Sequence, residues 1–403
     1  MKPSIVAWTA FCAGFVSPVG CNRAPATPDD RAPGITATEI RIGSSAALSG
    51  HASFLGTQLL HGSEAWLREV NARGGIAGRK ITLVGLDDGY DPVRTTAATQ
   101  RLLVDENVFA LFDYVGTPTT TKALPLFNRA RVPVLGMFTG AEALRNPRSP
   151  WVFHVRDSYY AEAEAAIALF VDRLKLQRIG VLYQQDAFGQ AVLAGVQLAL
   201  SRRSMRPVAS EGFVRGTMNV EPAADVMKRE GAQAVVLVGT YSPLAKAVKV
   251  SNDRGFFPWF HTVSFVGTEA FARELTEKQQ IDKERYGHVI VTQVVPGPDS
   301  DLPGVREYRA VVAKHFPADA PNNVALEGFI NARVLTAALE RAGARLDRET
   351  LVRALEDMRD LDVGIGRGVT FGPTDHVGLA GVFYSRLAAD GVFHLMAKEE
   401  VSL

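Results

Sequence analysis

Between Ile40 and Pro92 the apolar positions change period along the chain. Ile40 and Ile42 alternate with polar neighbours, the pattern of a strand. Leu59, Ser63, Trp66 and Val70 then recur at helical spacing, and Gly74 and Gly75 stop the predicted helix because glycine accepts the left-handed backbone of a C-terminal cap. Ile81 to Leu86 is a short apolar run suited to a buried parallel strand. Asp91 follows as a helix cap with Pro92 at the first helical position. The stretch is a βαβ unit, and a ligand is expected at its open end.

From there strand-like and helix-like segments keep alternating: FALFDYVG, a helix from Thr119, VPVLGMF and a helix near Glu142. After Trp151 to Val155 a second cycle begins, with a helix from about Tyr159, the strand RIGVLY, a helix after Phe188, the strand PVASEGF, a helix around Val226, the strand AVVLVGTY and a helix after Pro243. Such alternation predicts parallel sheets covered by helices, and two comparable α/β units predict two lobes. VIVTQVVPGP then leads into helices at about 304 to 316 and 324 to 342, and Asp347 caps another that ends near Met358.

The first twenty residues stand apart from this alternation. Lys2, an apolar core from Ile5 to Val16 and then SPVG before Cys21 read as a signal peptide, residues 1–20, too short to stay as a membrane span. The small residue before Cys21 resembles a lipobox, which implies lipidation of Cys21 after cleavage. Residues 22–37, NRAPATPDDRAPGITA, have no periodicity, so 21–37 is expected to be a lipidated tether. Cys12 leaves with the leader, so Cys21 is the one cysteine of the mature chain and no internal disulfide is possible. About 360 folded residues build sizeable cores without such staples. Loss of Lys2 makes the basic residues equal in number to the 43 acidic ones, which excludes a nucleic-acid footprint. No later stretch is apolar for long enough to span a bilayer, so any membrane contact is expected through the lipid alone.

Catalytic signatures are missing. The chain has no GxGxxG after the first strand, no GxSxG elbow, no Walker loop and no HExxH, and its eight histidines lack metal-ligand spacing. The expectation is a protein that is not an enzyme and that uses no metal and no cofactor. Binding chemistry is better represented. Gly116-Thr117-Pro118-Thr119-Thr120 joins a strand to a helix, so its hydroxyls and free amides suit an anion, although N-capping by Thr119 accounts for the same residues. Phe138-Thr139-Gly140-Ala141-Glu142 follows the next strand and is expected beside that first loop at the strand C-termini, where open α/β sheets bind ligands. Phe188, Tyr241 and Glu269 each follow a predicted strand of the second unit, where a glutamate is also favoured simply as a first-turn helix residue.

The succession LSG, FLG, NARGGIAGRKI, DDGYDP, GTPTT, VPVLGMFTGAEALRNP, QQDAFG, VLVGTYSP, SFVGTEAF and VTQVVP covers roughly residues 38 to 395. It resembles the leucine/isoleucine/valine-binding family of periplasmic solute-binding proteins, the type I bilobal receptors of ABC importers. The resemblance implies two Rossmann-like lobes joined by a three-crossing hinge near Val155, Val294 and Val369, with lobe 1 from 38–156 and 297–369 and lobe 2 from 157–296 and 370–403, where VFYSRLAADGVFHL forms a hairpin. It places the ligand carboxylate on Thr119, Thr120 and the backbone of Phe138, Thr139 and Gly140. Leu55 lines the pocket, Phe188 covers the ligand, and Tyr241 and Glu269 grip its ammonium.

Three departures argue against strict branched-chain specificity. The family's bridged cysteines align with Tyr90 and Gly116, Leu55 stands where branched-chain binders have tyrosine, and Gly140 stands where many relatives have threonine. The implied protein is a periplasmic, lipid-anchored, monomeric receptor that closes on an amino acid or another small carboxylate and delivers it to a membrane permease. The alternative is a ligand-sensing receptor that acts through a separate partner protein.

Overall fold

The computed structural model describes Met1, residues 32–397 and Glu400. The expected signal peptide, Cys21 and the start of the tether lie outside the described residues. Residues 32–37, expected as the tether's end, fold onto the first lobe: Ile35 is buried in its core and bridges Ile40, and the Arg41 amide donates to the Gly34 carbonyl at 2.8 Å.

In the first lobe β1 (Glu39–Ala46) pairs in parallel with β2 (Lys80–Asp87), from Glu39 opposite Lys80 to Ala46 opposite Asp87. Its other edge takes β3 (Ala110–Phe112), followed by β4 (Val134–Leu135) and β5 (Val152–Phe153), in the order β2-β1-β3-β4-β5. The connecting helices are α1 (Ser53–Ala72), α2 (Pro92–Val104) and α3 (Thr117–Ala130). Gly74 and Gly75, at φ 103° and 72°, end α1 as expected, and the Asp91 side chain accepts from the Val93 and Arg94 amides at the start of α2. Near Glu142 the expected helix is only the 3-10 turn Glu142–Leu144; Asn146 precedes Pro147, and that position disfavours helical backbone.

The second lobe repeats the alternation with α4 (Tyr159–Ile167), β6 (Ile179–Gln184), α5 (Ala187–Ser201), β7 (Ala209–Phe213), α6 (Glu221–Arg229), β8 (Ala234–Val238), α7 (Tyr241–Asp253), β9 (Trp259–Thr262), α8 (Thr268–Arg273) and β10 (Val289–Gln293). The chain then returns to the first lobe through α9 (Pro303–His315), α10 (Asn323–Ala342) and α11 (Arg348–Glu356), which Asp347 caps through a capping box. A short antiparallel pair, β11 (Leu361–Asp362) and β12 (Gly368–Val369), follows. The expected hairpin is β13 (Phe383–Leu387) and β14 (Phe393–Leu395), an antiparallel edge on an otherwise parallel sheet of order β14-β13-β10-β9-β8-β6-β7.

The third crossing lies after Leu379, later than the boundary at 369/370. Phe371 and Leu379 belong to the first lobe's core, Val377 bridges His154, and the Phe371 ring packs edge-on against Phe153 at 5.5 Å. Leaving the lobe at Val369 would strip these apolar groups of their burial.

Candidate functional site

Both sheets present their strand ends to one seam, and a single apolar cluster runs across it. Leu55, Tyr90, Val115 and Phe138 come from the first lobe, and Tyr159, Phe188 and Phe265 from the second. Phe265 belongs to a 3-10 turn that follows β9, Ser264–Val266. Its ring centroid is 5.9 Å from Tyr90, 5.4 Å from Phe138 and 4.6 Å from Phe188, and Phe188 is 5.3 Å from Tyr159. All are spacings at which aromatic pairs attract.

The two positions aligned with the family's cysteines are in contact. A Cβ on Gly116 would lie 2.2 Å from the Tyr90 ring, so the tyrosine fills the space beside a residue at φ 96°, where glycine is favoured. The same Cβ would lie 3.0 Å from the Thr119 hydroxyl, which turns back to the Val115 and Gly116 carbonyls, 2.9 Å from the latter. Gly116, rather than Thr119, is the N-cap residue of α3. Thr139 shares a hydrogen bond with Thr117 at 2.7 Å and accepts from the Ala141 amide. Gly140 accepts from the Tyr159 amide at 2.8 Å, and a Cβ there would meet that nitrogen at 2.6 Å; the absent side chain is what lets α4 approach.

Buried polar groups around this seam without a well-formed hydrogen bond among the described residues include the hydroxyls of Tyr90 and Tyr159, the Gln184 Oε1 and the Nε and Nη1 of Arg156, and the buried Thr120 hydroxyl of α3 also lacks one. The Tyr90 hydroxyl lies close to Gln184, and that of Tyr159 close to Thr139, without adequate bonding geometry. Burial pushes the Tyr159 hydroxyl up to about 12, and burial with the nearby Asp186 charge raises Tyr90 as well. Both stay protonated and keep a hydrogen to donate. Desolvated donors without partners are costly, and a polar ligand group satisfies them.

The remaining expected residues divide. Leu55 is fully buried and faces Gly267 across the seam, where an added Cβ would sit 2.6 Å from its Cδ2. Tyr241, half-buried at the start of α7, packs edge-on against Phe54 at 6.3 Å. Glu269 accepts from the Asn323 amide at 2.9 Å, thereby capping α10 from the opposite lobe. Its Oε2 is buried without a partner among the described residues, and burial pushes the carboxyl up to about 7. Glu269 lines a groove of about 440 Å³ with Arg273, Asp299, Arg309 and Phe393, and none of the seam's aromatic residues lines that groove. Thus the structure gathers Leu55, Phe138 and Phe188, sets Thr119, Thr139 and Gly140 beside them, buries Thr120 in α3, and turns Glu269 toward α10.

Sequence reasoning missed Tyr159 and Phe265, and met Tyr90 only as a lost cysteine. It also missed an ionic network at the first crossing. The buried Arg156 donates from Nη2 to Glu162 at 3.1 Å and to the Ser264 hydroxyl, while its Nη1 is 3.5 Å from Glu327 of α10. Glu162 also accepts from the Ser264 amide at 2.7 Å and the Thr292 hydroxyl at 2.8 Å. Arg156 is therefore shared between lobes, and its guanidinium sits 5.0 Å from the Phe138 ring. Nothing local to residue 156 signals these partners, which converge only in three dimensions.

The family model described as periplasmic binding protein matches residues 39–391. A Leu/Ile/Val-binding protein, BraC3, of Rhizobium johnstonii is 25% identical over 344 residues, covering 83% of this chain and 88% of that one. Among solved structures, a possible leucine/isoleucine/valine-binding protein from Rhodopirellula baltica superposes with a TM-score of 0.84 at 33% identity, covering 91% of this chain and 98% of the other. A substrate-binding periplasmic protein from Ralstonia solanacearum gives 0.81 at 28% identity, covering 89% and 100%. With a family model matched over most of its length and an α/β architecture shared with these structures, the chain belongs to the periplasmic binding protein family.

Proposed function

We propose that this protein is the extracytoplasmic solute-binding component of an ABC importer, and that its two lobes close on an amino acid or a similar small carboxylate. The observation that carries the reading is the pair of buried hydroxyls of Tyr90 and Tyr159 at the seam, which lack well-formed hydrogen bonds and lie where α3 begins at Gly116 beside the Tyr90 ring, neutral donors suited to an anion. The N-terminus of α3 adds the positive end of its helix dipole next to them. An ammonium on the ligand would have to reach the free Oε2 of Glu269. The protein performs no chemistry on the solute, acts as a monomer, hands the solute to a membrane permease, and is held at the membrane by lipid on Cys21, which Cys21→Ala releases into the soluble fraction.

A thermal-shift screen of the mature protein against amino acids and small carboxylates tests this. A ligand at 100 times its dissociation constant stabilises the folded state by about 2.7 kcal/mol. At least one member should raise the melting temperature by several degrees. Silence across the whole panel sinks the reading.

A further inference from the structure

The start of α10, in the first lobe, is tied to the second lobe by a hydrogen bond. Asn323 is the first residue of α10, and its amide is among those that no carbonyl of the helix can meet. It donates at 2.9 Å to Oε1 of Glu269, the second residue of α8, from the opposite lobe. The Asn322 side chain takes the Ala325 amide at 2.8 Å. That second cap comes from the helix's own lobe and holds whether or not the lobes meet, whereas the Glu269 cap exists only while they do.

The other oxygen of the same carboxyl makes this bond sensitive to pH. Oε2 is buried and has no hydrogen-bond partner among the described residues. An ionised carboxyl placed so would hold a charge that is neither solvated nor paired, a far larger cost than leaving a neutral acid's hydroxyl unmet. The groups facing it from both lobes do not supply the missing positive charge. Arg273 and Arg309 line the same groove without bonding Oε2, and Nη1 of Arg309 is given to the Pro298 and Ser300 carbonyls. Glu277 and Asp299, also in that groove, oppose a further negative charge, and the nearby Tyr308 hydroxyl is taken up by the Asn322 backbone. Burial accordingly raises the Glu269 carboxyl to about 7.

We propose that Glu269 is a proton-linked latch between the lobes, which takes up a proton as closure buries it and gives the proton back as the lobes part. With the lobes apart its carboxyl returns to water and to the ordinary value of 4.5, so between 4.5 and about 7 the closed form holds a proton that the open form has released. Closure is therefore strongest in acid and weakens as pH rises toward 7. The latch builds on the closing motion proposed above and acts in the solute-free protein; an ammonium brought to Oε2 by a solute would take the proton's place.

Small-angle scattering of the solute-free mature protein from pH 5 to pH 8 tests this, beside Glu269→Gln, which keeps the Oε1 acceptor and does not titrate. The ratio of closed to open wild-type molecules should fall at least about tenfold over that range, read as a growing radius of gyration. Glu269→Gln should stay compact throughout. Asn323→Pro should be open even at pH 5, because proline suits the first position of a helix but has no amide to offer Glu269. A wild-type radius that ignores pH overturns the latch, and so does a Glu269→Gln variant that expands as the wild type does. Expansion that persists in Glu269→Gln and disappears in Glu327→Gln moves the proton to Glu327, the acid of α10 that burial also raises to about 7, and overturns the assignment to Glu269. Should Glu269→Gln fail to fold, an Asn323→Pro variant as compact as the wild type at pH 5 overturns the latch. No solute enters these measurements, so failure here leaves the receptor reading to the thermal-shift screen.

Discussion

Glu269 carries two readings that differ by one oxygen. Its Oε1 caps α10 through Asn323, and its Oε2 is buried and unpartnered. Burial lifts the carboxyl from an ordinary 4.5 to about 7. Between those values the folded protein holds a proton that the unfolded chain has already released, so this group's contribution to stability is complete below about pH 4.5 and is lost as pH rises through 7. Over that window the stability of the wild type relative to Glu269→Gln should fall by about 1 to 3 kcal/mol, since glutamine does not titrate. Urea unfolding of both proteins at pH 5, 6, 7 and 8 measures the difference; a constant gap would mean that the carboxyl is solvated. The sequence showed that Glu269 follows a strand and favours a helix start, and both are true. It did not show that the helix it caps belongs to the other lobe, because that partner is 54 residues away and leaves no local pattern. Tyr90 and Phe265 were illegible for the same reason: an aromatic residue in a loop reads as generic core until its neighbours are known.

At the scale of elements, α1 and α10 lie against one another through glycines. A Cβ on Gly62 would sit 1.8 Å from the Ala325 carbonyl oxygen, and one on Gly328 would sit 2.0 Å from that of Leu59. Glycine inside a helix costs about 1 kcal/mol relative to alanine, so local propensity alone makes Gly62→Ala stabilising. The backbone contact reverses the sign, and Gly62→Ala should destabilise by about 1 to 3 kcal/mol, as overpacking of a close-packed interior does. Urea unfolding decides it, and a more stable variant would show that the two helices can separate without cost. The periodicity of α1 and the stop at Gly74 and Gly75 were legible because a long amphipathic helix writes its core face into the sequence. The two glycines read only as weak points. Strands β4 and β5 span two residues each, too short for alternation to define their ends, and the helix expected near Glu142 gave way to a turn before Pro147.

For the whole molecule, two lobes followed from the repeated α/β cycle and the hinge from the family resemblance, while the contacts that hold the lobes together followed from neither. One of these contacts is specific enough to test. Arg215, beyond β7 in the second lobe, donates from Nη1 to the Tyr90 carbonyl at 2.8 Å, and its guanidinium stands 5.4 Å from the Tyr90 ring. Its side chain retains a quarter of its exposure, so solvent weakens the bond, and a partly exposed charge-assisted contact of this kind contributes about 1 kcal/mol. Any part of that energy present only when the lobes touch sets the balance between open and closed forms, and a solute that requires closure inherits it. Arg156 differs, because it sits at the first crossing between buried carboxylates of both lobes, and breaking its pairs threatens the fold itself. Arg215→Ala should therefore keep its melting behaviour, show a larger radius of gyration than the wild type without solute, and return to the wild-type value at saturation. Its affinity should fall about fivefold, the equivalent of about 1 kcal/mol. Small-angle scattering with and without the solute that the thermal-shift screen identifies, together with calorimetry, tests both halves. If the variant scatters like the wild type in both conditions and binds equally well, then Arg215 decorates the seam and closure does not depend on it.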